Sequence, residues 1–569
     1  MDYSADSERK APLKVALGRL QKFIDATNVG ELLDDDKLAD IGKRVVEEAE
    51  IDDRSRDDWR RDAEEGMKAA LQAATVKNWP FENSANIKYP LITVAALQFN
   101  ARAYPAIVAD DRPVKAKVFG ADPEGQKRQR AERVSEHMSY QLMEEMVEWE
   151  GDTDTLLMQV PIVGDAFRKV YYDASLGRNR SEMVPAVDLI VNQSVRSLEE
   201  APRVTHRLMR YPQEIEEKKR AGIWLDVEIP VPMSADGDKD APREFYEQHR
   251  FMDLDEDGYG EPYIVTVHKE SAKVVRIVAN YGPDDIEFND DATRIVRIAK
   301  QDYFVQYPFI PDPGGGFYGI GFYRLLKSLN EAINTALNQM FDAGTLQTAG
   351  GGFIGSGVRF KTSELRMKPG VYKTVDAPGG KIREAIYNMD HPGPSSVLFQ
   401  LLGLLIEAAR DITSVKDLVT GDSGNKVQQP TTVVALIEQG LKVFTAIYKR
   451  IYRALKREFK LLQRLNAQHL SDEAYQAVVD QPASAKDDYN AADYDVCPTA
   501  DPKSVTDMQR MGKAQLLMGL MQHPNINAEE ALREILGAAQ YENPDRFITP
   551  TPTEPPPMMQ AELANKEAD

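Results

Sequence analysis

Residues 314–346 read GGGFYGIGFYRLLKSLNEAINTALNQMFDAGTL, and the change of texture inside this stretch decides the fold. The first eight positions hold five glycines, a composition suited to a junction where backbones pass closely. From Gly321 the pattern turns helical, with Leu325, Leu329, Ile333, Leu337 and Phe341 at four-residue steps. A helix of that length followed by the glycine-rich segment Gly350–Met389 points to long helices joined by small mixed structure.

Working outward, residues 395–418 predict a second helix and 431–470 a third, too long for an ordinary globular element. Upstream, Val160 to about Ile298 is strand-like: Phe167–Tyr172, Pro185–Val191, Phe245–Met252, Tyr263–His268 and Lys273–Ala279 are β-rich runs between Gly, Asp, Asn or Pro. Gln213–Ala221 predicts a short helix among them, and Pro230–Pro242 a loop. Nearer the start, Arg54–Thr75 reads as one amphipathic helix with Trp59, Ala63, Met67, Ala70 and Leu71 on a side. Tyr89–Tyr104 and Pro123–Glu150 read as further helices, the latter with Val134, Met138, Leu142, Met143 and Met146 as its buried stripe. Ser504–Ala539 predicts two shorter helices, and the Pro-rich segment from Thr549 is expected to be disordered. The class expected is α+β.

Composition narrows the function. A length of 569 residues implies several packed regions. The formal net charge of −21 opposes a surface that grips nucleic acid all over, yet permits a wall past which a polyanion slides. With Cys497 the sole cysteine, neither an intrachain disulfide nor a cysteine zinc cluster can form. The polar start lacks a secretory pattern, and the densest apolar run, Leu401–Ala409, is far too short to span a bilayer, so a soluble protein made in the cytoplasm is expected.

Enzymatic motifs fail one by one. Gly314, Gly316 and Gly319, and again Gly350, Gly352 and Gly355, match the dinucleotide fingerprint in letters only. The first set follows Pro308, Pro311 and Pro313, and the second leads into no helix. Gly42-Lys43, Gly380-Lys381 and Gly512-Lys513 each lack the upstream glycine of a Walker A loop. The seven histidines include no HExxH, and no cofactor is expected. Asp253, Asp255 and Asp257 before Gly258 imitate the first half of a calcium loop. Glu261 stands at position nine but Ile264 at position twelve, where a bidentate glutamate belongs, so a hairpin turn with solvated aspartates is the expected reading and no metal is assigned, with a weak structural calcium at the three aspartates as the alternative. Within the third helix, Lys442, Lys449, Arg450, Arg453, Lys456, Arg457, Lys460 and Arg464 accompany one glutamate, Glu458, opposite a stripe of Phe444, Tyr448, Ile451, Leu455, Phe459 and Leu462. Lys449, Arg453, Lys456 and Lys460 are candidates for a DNA-facing surface. In so acidic a chain, pairing with acidic neighbours is the preferred reading.

Three stretches in order carry a family resemblance: NWPFENSANIKYP at 78–90, HRFMDLDEDGYGEPY at 249–263, and KQDYFVQYPFIP at 300–311 leading into the glycine-rich junction and its helix. Over about Arg54–Ala539 the chain resembles the portal proteins of tailed double-stranded DNA bacteriophages, most closely those of short-tailed phages. The resemblance implies a ring, usually of twelve subunits, at one capsid vertex of the virion, assembled in the host cytoplasm. It implies a wing at 1–320, stem helices at 321–346 and 395–412, a clip at 347–394, a channel loop at 413–430, a long wing helix and return at 431–503, a crown at 504–540 and a tail at 541–569. Implied partners are the major capsid protein, the terminase large subunit, head–tail adaptor and tail proteins, and duplex DNA in the channel, with no membrane. The channel loop, rich in Gly, Ser, Asn and Gln, can move at low cost and touch phosphates without holding them. Lys416, Lys426, Gln428 and Gln429 are its contact candidates, and Gly421 and Gly424 its bends. The alternatives are another ring-forming head–tail connector, or a nuclease or ATPase of the packaging machinery.

Overall fold

The computed structural model describes residues 18–73, 84–108, 112–120, 125–232, 237–289, 295–349, 393–413, 430–490 and 494–499, with isolated residues and short pieces elsewhere; of 430–445 it describes the backbone alone. The architecture is α+β, and the chain divides into two units, Met1–Pro498 and Thr499–Asp569.

Helices open the first unit: residues 18–25, then α1 (Asp35–Ser55), α2 (Asp57–Ala70) and α3 (Leu91–Ile107). The single helix expected at Arg54–Thr75 is broken, because Arg56 turns inward. Its guanidinium donates to the carbonyls of Ala186 (3.2 Å), Val187 (2.7 Å) and Leu189 (3.0 Å) and to the Tyr318 hydroxyl (3.0 Å), while pairing with Asp53. Trp59, Ala63 and Ala70 are buried as expected, but Leu71 is exposed.

After β1 (Val114–Val118) come α4 (Gln126–Tyr140) and α5 (Glu148–Val163), separated by one wide turn at Gln141–Glu145. The strand-rich region begins at 165, not 160. Residues 156–163 of α5 are mostly buried, and a run apolar but for Gln159 has little helical period to betray it. Of the stripe expected at 123–150, Val134, Met138, Leu142 and Met146 are buried and Met143 half-buried.

Two antiparallel sheets follow. β2 (Asp165–Asp173) lies between β3 (Arg178–Val184) and β11 (Phe304–Pro308). The second runs in the order β4 (Leu189–Ile190), β5 (Arg203–Arg210), β6 (Arg243–Met252), β7 (Glu261–His268), β8 (Lys273–Ala279). Of the strand expected at Pro185–Val191 only Leu189–Ile190 forms, after a turn at 186–188; α6 (Pro212–Arg220) lies between β5 and β6 in sequence, and a hairpin of β9 (Ile286–Phe288) and β10 (Ile295–Ile298) follows β8. Val45 of α1 joins Tyr263, Val265, Val267 and Ile277 in the core on one face, and Ile215, Trp224, Phe245 and Val275 pack together in a second cluster.

The glycines at 319 and 321 are where backbones cross. A Cβ on Gly321 would stand 2.2 Å from the Ile162 carbonyl oxygen, and one on Gly319 2.7 Å from that of Ile310. Gly319 N–H donates to the buried Asp165 carboxylate, which burial pushes up to about 8. These glycines therefore serve close packing and leave no cradle for a pyrophosphate.

Beyond the junction runs α7 (Phe322–Ala349), with α8 (Ser396–Thr413) packed against it. Between them the described pieces form two short antiparallel pairs, Gly352–Ile354 with Ile386–Asn388 and Arg359–Phe360 with Val375–Asp376. An extended strap, residues 84–90, lies along α7 and finds no strand partner among the described residues. Side chains one turn apart substitute for one: Ala85 N–H donates to Asp342 (2.6 Å), Ile87 N–H to Asn338 (2.7 Å) and Tyr89 N–H to Asn334 (2.7 Å). Finally α9 (Pro430–His469) crosses the three-stranded sheet, α10 (Asp472–Val479) follows, and β12 (Tyr494–Pro498) pairs with β1. In the second unit, residues 514–519 are helical, as are 531–533 and 535–536.

Candidate functional site

α9 holds the basic run, and its seating explains why one glutamate stands there. Glu458 is fully buried. It accepts hydrogen bonds from the Trp149 indole (2.7 Å), the Ser181 hydroxyl (2.7 Å) and the Tyr307 hydroxyl. Arg168, also buried, places its Nε 3.6 Å from the same carboxylate and donates to Ser181 O, Trp149 O and Thr153 Oγ1. Burial and the adjacent carboxylate hold the Tyr307 phenol well above its ordinary range. Tyr448, Ile451, Leu455, Phe459 and Leu462 line the buried side of α9, as the stripe predicts.

The basic residues divide. Lys456 and Lys460 both pair with Asp495 of β12, the latter at 3.0 Å, and the two ammonium groups hold that carboxyl below its usual range despite its partial burial. Arg457 pairs with Glu199, Arg450 donates to Phe309 O (2.7 Å) and Arg464 to Asp302 O (3.0 Å). Lys449 and Arg453 are exposed and make no ion pair among the described residues. The side chains of Lys442 and Phe444 lie outside the described residues, as do Lys416, Gly421, Gly424, Lys426, Gln428 and Gln429. The sequence carried no sign of Asp495 as a partner, since it stands 35 or more positions from either lysine and only the β1–β12 pairing brings it back.

α8 has two apolar faces. Leu402 and Ala409 are buried, whereas Val397, Phe399, Leu401, Leu404 and Ile412 are exposed on this single chain. α7 likewise exposes Leu325, Phe341 and Leu346. No helix among the described residues is long and apolar enough to cross a membrane.

The aspartate-rich turn joins β6 to β7, as expected of a hairpin. Oxygens of Asp253, Asp255, Asp257 and Glu261 all lie within 4.8 Å of one another. Glu261 is not solvated: it is 1% exposed, and burial followed by the charge of Asp255 pushes its carboxyl up to about 8.

A family model described as Phage SU10 portal protein matches residues 116–569. No curated protein matches the chain.

Proposed function

Since this chain belongs to the SU10-type phage portal family and is a portal subunit of the capsid vertex, we propose that its described elements take the parts of a ring-shaped DNA conduit as follows. α7 and α8 form the stem, the segment between them the clip that receives terminase and then tail, residues 413–430 the channel loop, and α9 the beam that ties the stem to the β-rich wing. Residues 504–540 form the crown. Twelve subunits close the ring.

The second apolar face of α8 carries this reading. Val397, Leu401, Leu404 and Ile412 share one face of a helix that is already packed on α7 through another. A contiguous apolar face of this kind marks a protein interface. In a cyclic assembly one surface of each subunit meets a different surface of the next, and paired helices supply a wedge stiff enough to close. The conduit wall needs little affinity for phosphate, which suits the net charge of −21 and the engagement of Lys456 and Lys460 with Asp495. Lys449 and Arg453 remain as the exposed cations of α9 available to DNA, and Lys416, Lys426, Gln428 and Gln429 as the loop contacts.

Negative-stain imaging of purified protein tests the assembly: rings with a central hole wide enough for duplex DNA are expected, and Leu401→Glu with Leu404→Glu should abolish rings while leaving the subunit's circular dichroism unchanged. A monomer at high concentration, or rings that survive both charges, would overturn it. ATPase and nuclease assays on the same preparation should read zero; turnover in either would favour a packaging enzyme. Shortening Thr420–Lys426 should spare ring formation and impair DNA packaging or retention, whereas loss of the ring would make the loop structural.

A further inference from the structure

The β6–β7 turn gathers more negative charge than a hairpin needs. Asp253 accepts from Asp257 N–H (3.1 Å) and Gly258 N–H (2.9 Å), Asp255 from Asp257 N–H (3.3 Å), and Asp257 from Tyr259 N–H (2.8 Å). These bonds shape the loop and offset its charge only in part, for burial and the neighbouring aspartates still push the Asp255 carboxyl up. Lys37 pairs with Glu256 (2.5 Å) and not with the cluster, and the charge of Arg19 acts on Asp255 with no ion pair between them among the described residues.

Glu261 is the independent sign. As the first residue of β7, opposite Met252 on β6, it is fixed by the sheet and not by the loop. Its carboxylate is buried beside the Tyr263 and Tyr281 rings, yet it reaches the aspartate oxygens. Its side-chain donor is the Tyr263 hydroxyl at a long 3.4 Å, and that hydroxyl stands equally far from Tyr281. Among the described residues no Lys, Arg or His pairs with Glu261. A buried carboxylate facing three others, none of the four in an ion pair among the described residues, is what a cation site looks like before the cation is added.

We propose that Asp253, Asp255, Asp257 and Glu261 form a calcium site at the tip of the β6–β7 hairpin. Calcium takes oxygen ligands at about 2.3–2.6 Å, so ligands on opposite sides of one ion lie about 5 Å apart, the span these four carboxylates show. Magnesium demands a tighter octahedron and keeps its water, and zinc prefers nitrogen and sulfur. The absent glutamate at position twelve, which spoke against calcium in the sequence, is replaced here by one at position nine, carried in by a strand where a helix would otherwise supply it. The ion ties the turn to the core of Tyr263, Tyr281 and Met252.

Full-length protein dialysed against chelator and titrated with calcium chloride tests this by calorimetry and thermal melting. One ion per subunit is expected, with a Kd on the order of 10⁻⁴ M and a raised Tm, and with a smaller response to magnesium. Glu261→Gln and Asp257→Asn should each weaken calcium binding by at least about tenfold. In chelator, Glu261→Gln should melt no lower than the parent, because it removes a buried acid that the fold holds at a cost beside three carboxylates; this separates loss of a ligand from loss of fold. Absence of both heat and Tm shift at millimolar calcium would overturn the proposal, as would an undiminished response in both variants or an equal response to magnesium.

Discussion

Replacing Glu458 by leucine should destabilise the first unit more than any other single change on α9. Three donors lose their acceptor: Trp149, Ser181 and Tyr307. Arg168 keeps its hydrogen bonds to Ser181, Trp149 and Thr153, all to neutral oxygens, but loses the carboxylate that offsets its charge. Removing one partner of a buried pair costs about 3–5 kcal/mol, chiefly because the other charge is left in a low dielectric. Glu458→Gln retains volume and an acceptor oxygen, so it isolates the charge and should cost about 1.5–3 kcal/mol. Arg168→Met with Glu458→Leu removes both charges, and the double change should be milder than the sum of the singles by about 2 kcal/mol or more. Urea unfolding followed by circular dichroism, at one protein concentration because assembly adds to stability, measures all four. A loss below about 1 kcal/mol for Glu458→Leu, or strict additivity in the double variant, would refute the account of Glu458 as the anchor of α9.

Gly321→Ala should prevent soluble expression or lower Tm steeply, because the added methyl meets the Ile162 carbonyl; Gly151→Ala, in helix α5 with open space around it, should instead stabilise by about 0.5–1 kcal/mol. Asn338→Ala removes both bonds to Ile87 and should cost about 1–3 kcal/mol, read as faster amide exchange along 84–90. Burial lowers His206 to about 3, so in the folded protein it stays neutral where the unfolded chain, near 6.5, takes up a proton. Its stabilising contribution is therefore whole above about 6.5 and fades as pH falls toward about 3. His206→Leu should flatten that part of the acid-unfolding curve while leaving stability at pH 7 unharmed, since Nδ1 has no partner among the described residues.

The sequence announced α7 and α9 because each carries a repeating apolar stripe, and β2, β6, β7 and β8 because apolar runs stand between turn residues; α8 it announced by its length and its density of apolar residues. It hid β3 and β5. Their inward positions are polar: Ser181 serves Glu458, Asn179 serves Asn466, and Arg203 grips Asp52 at 2.6 and 2.8 Å. Alternation of apolar and polar residues cannot reveal a strand whose buried side is a hydrogen-bonded network. The same blindness touched the site. Glu458 read as a stray acid among bases and is the most enclosed charge on the helix, while Glu261 read as a peripheral member of a loop motif and is its buried floor. Glu458 depends on partners 151 to 309 residues away, which spacing along one segment does not encode, and Glu261 shows its place only once the β6–β7 pairing is fixed.

The strap along α7 works as a vernier. Its rungs recur every two residues on the strap, about 6.6 Å, and every four on the helix, about 6.0 Å, so each rung beyond the central pair of Ile87 and Asn338 slips by about 0.6 Å. Hydrogen bonds absorb that at the neighbouring rungs, Ala85 with Asp342 and Tyr89 with Asn334, and twice that error exceeds their tolerance. Asn330, the next graduation on the helix, is buried with its side-chain oxygen unmatched among the described residues, and the chain has already turned into α3. Two unlike rulers therefore set the strap's length from within, and residues inserted there would have to leave the helix without lengthening the grip.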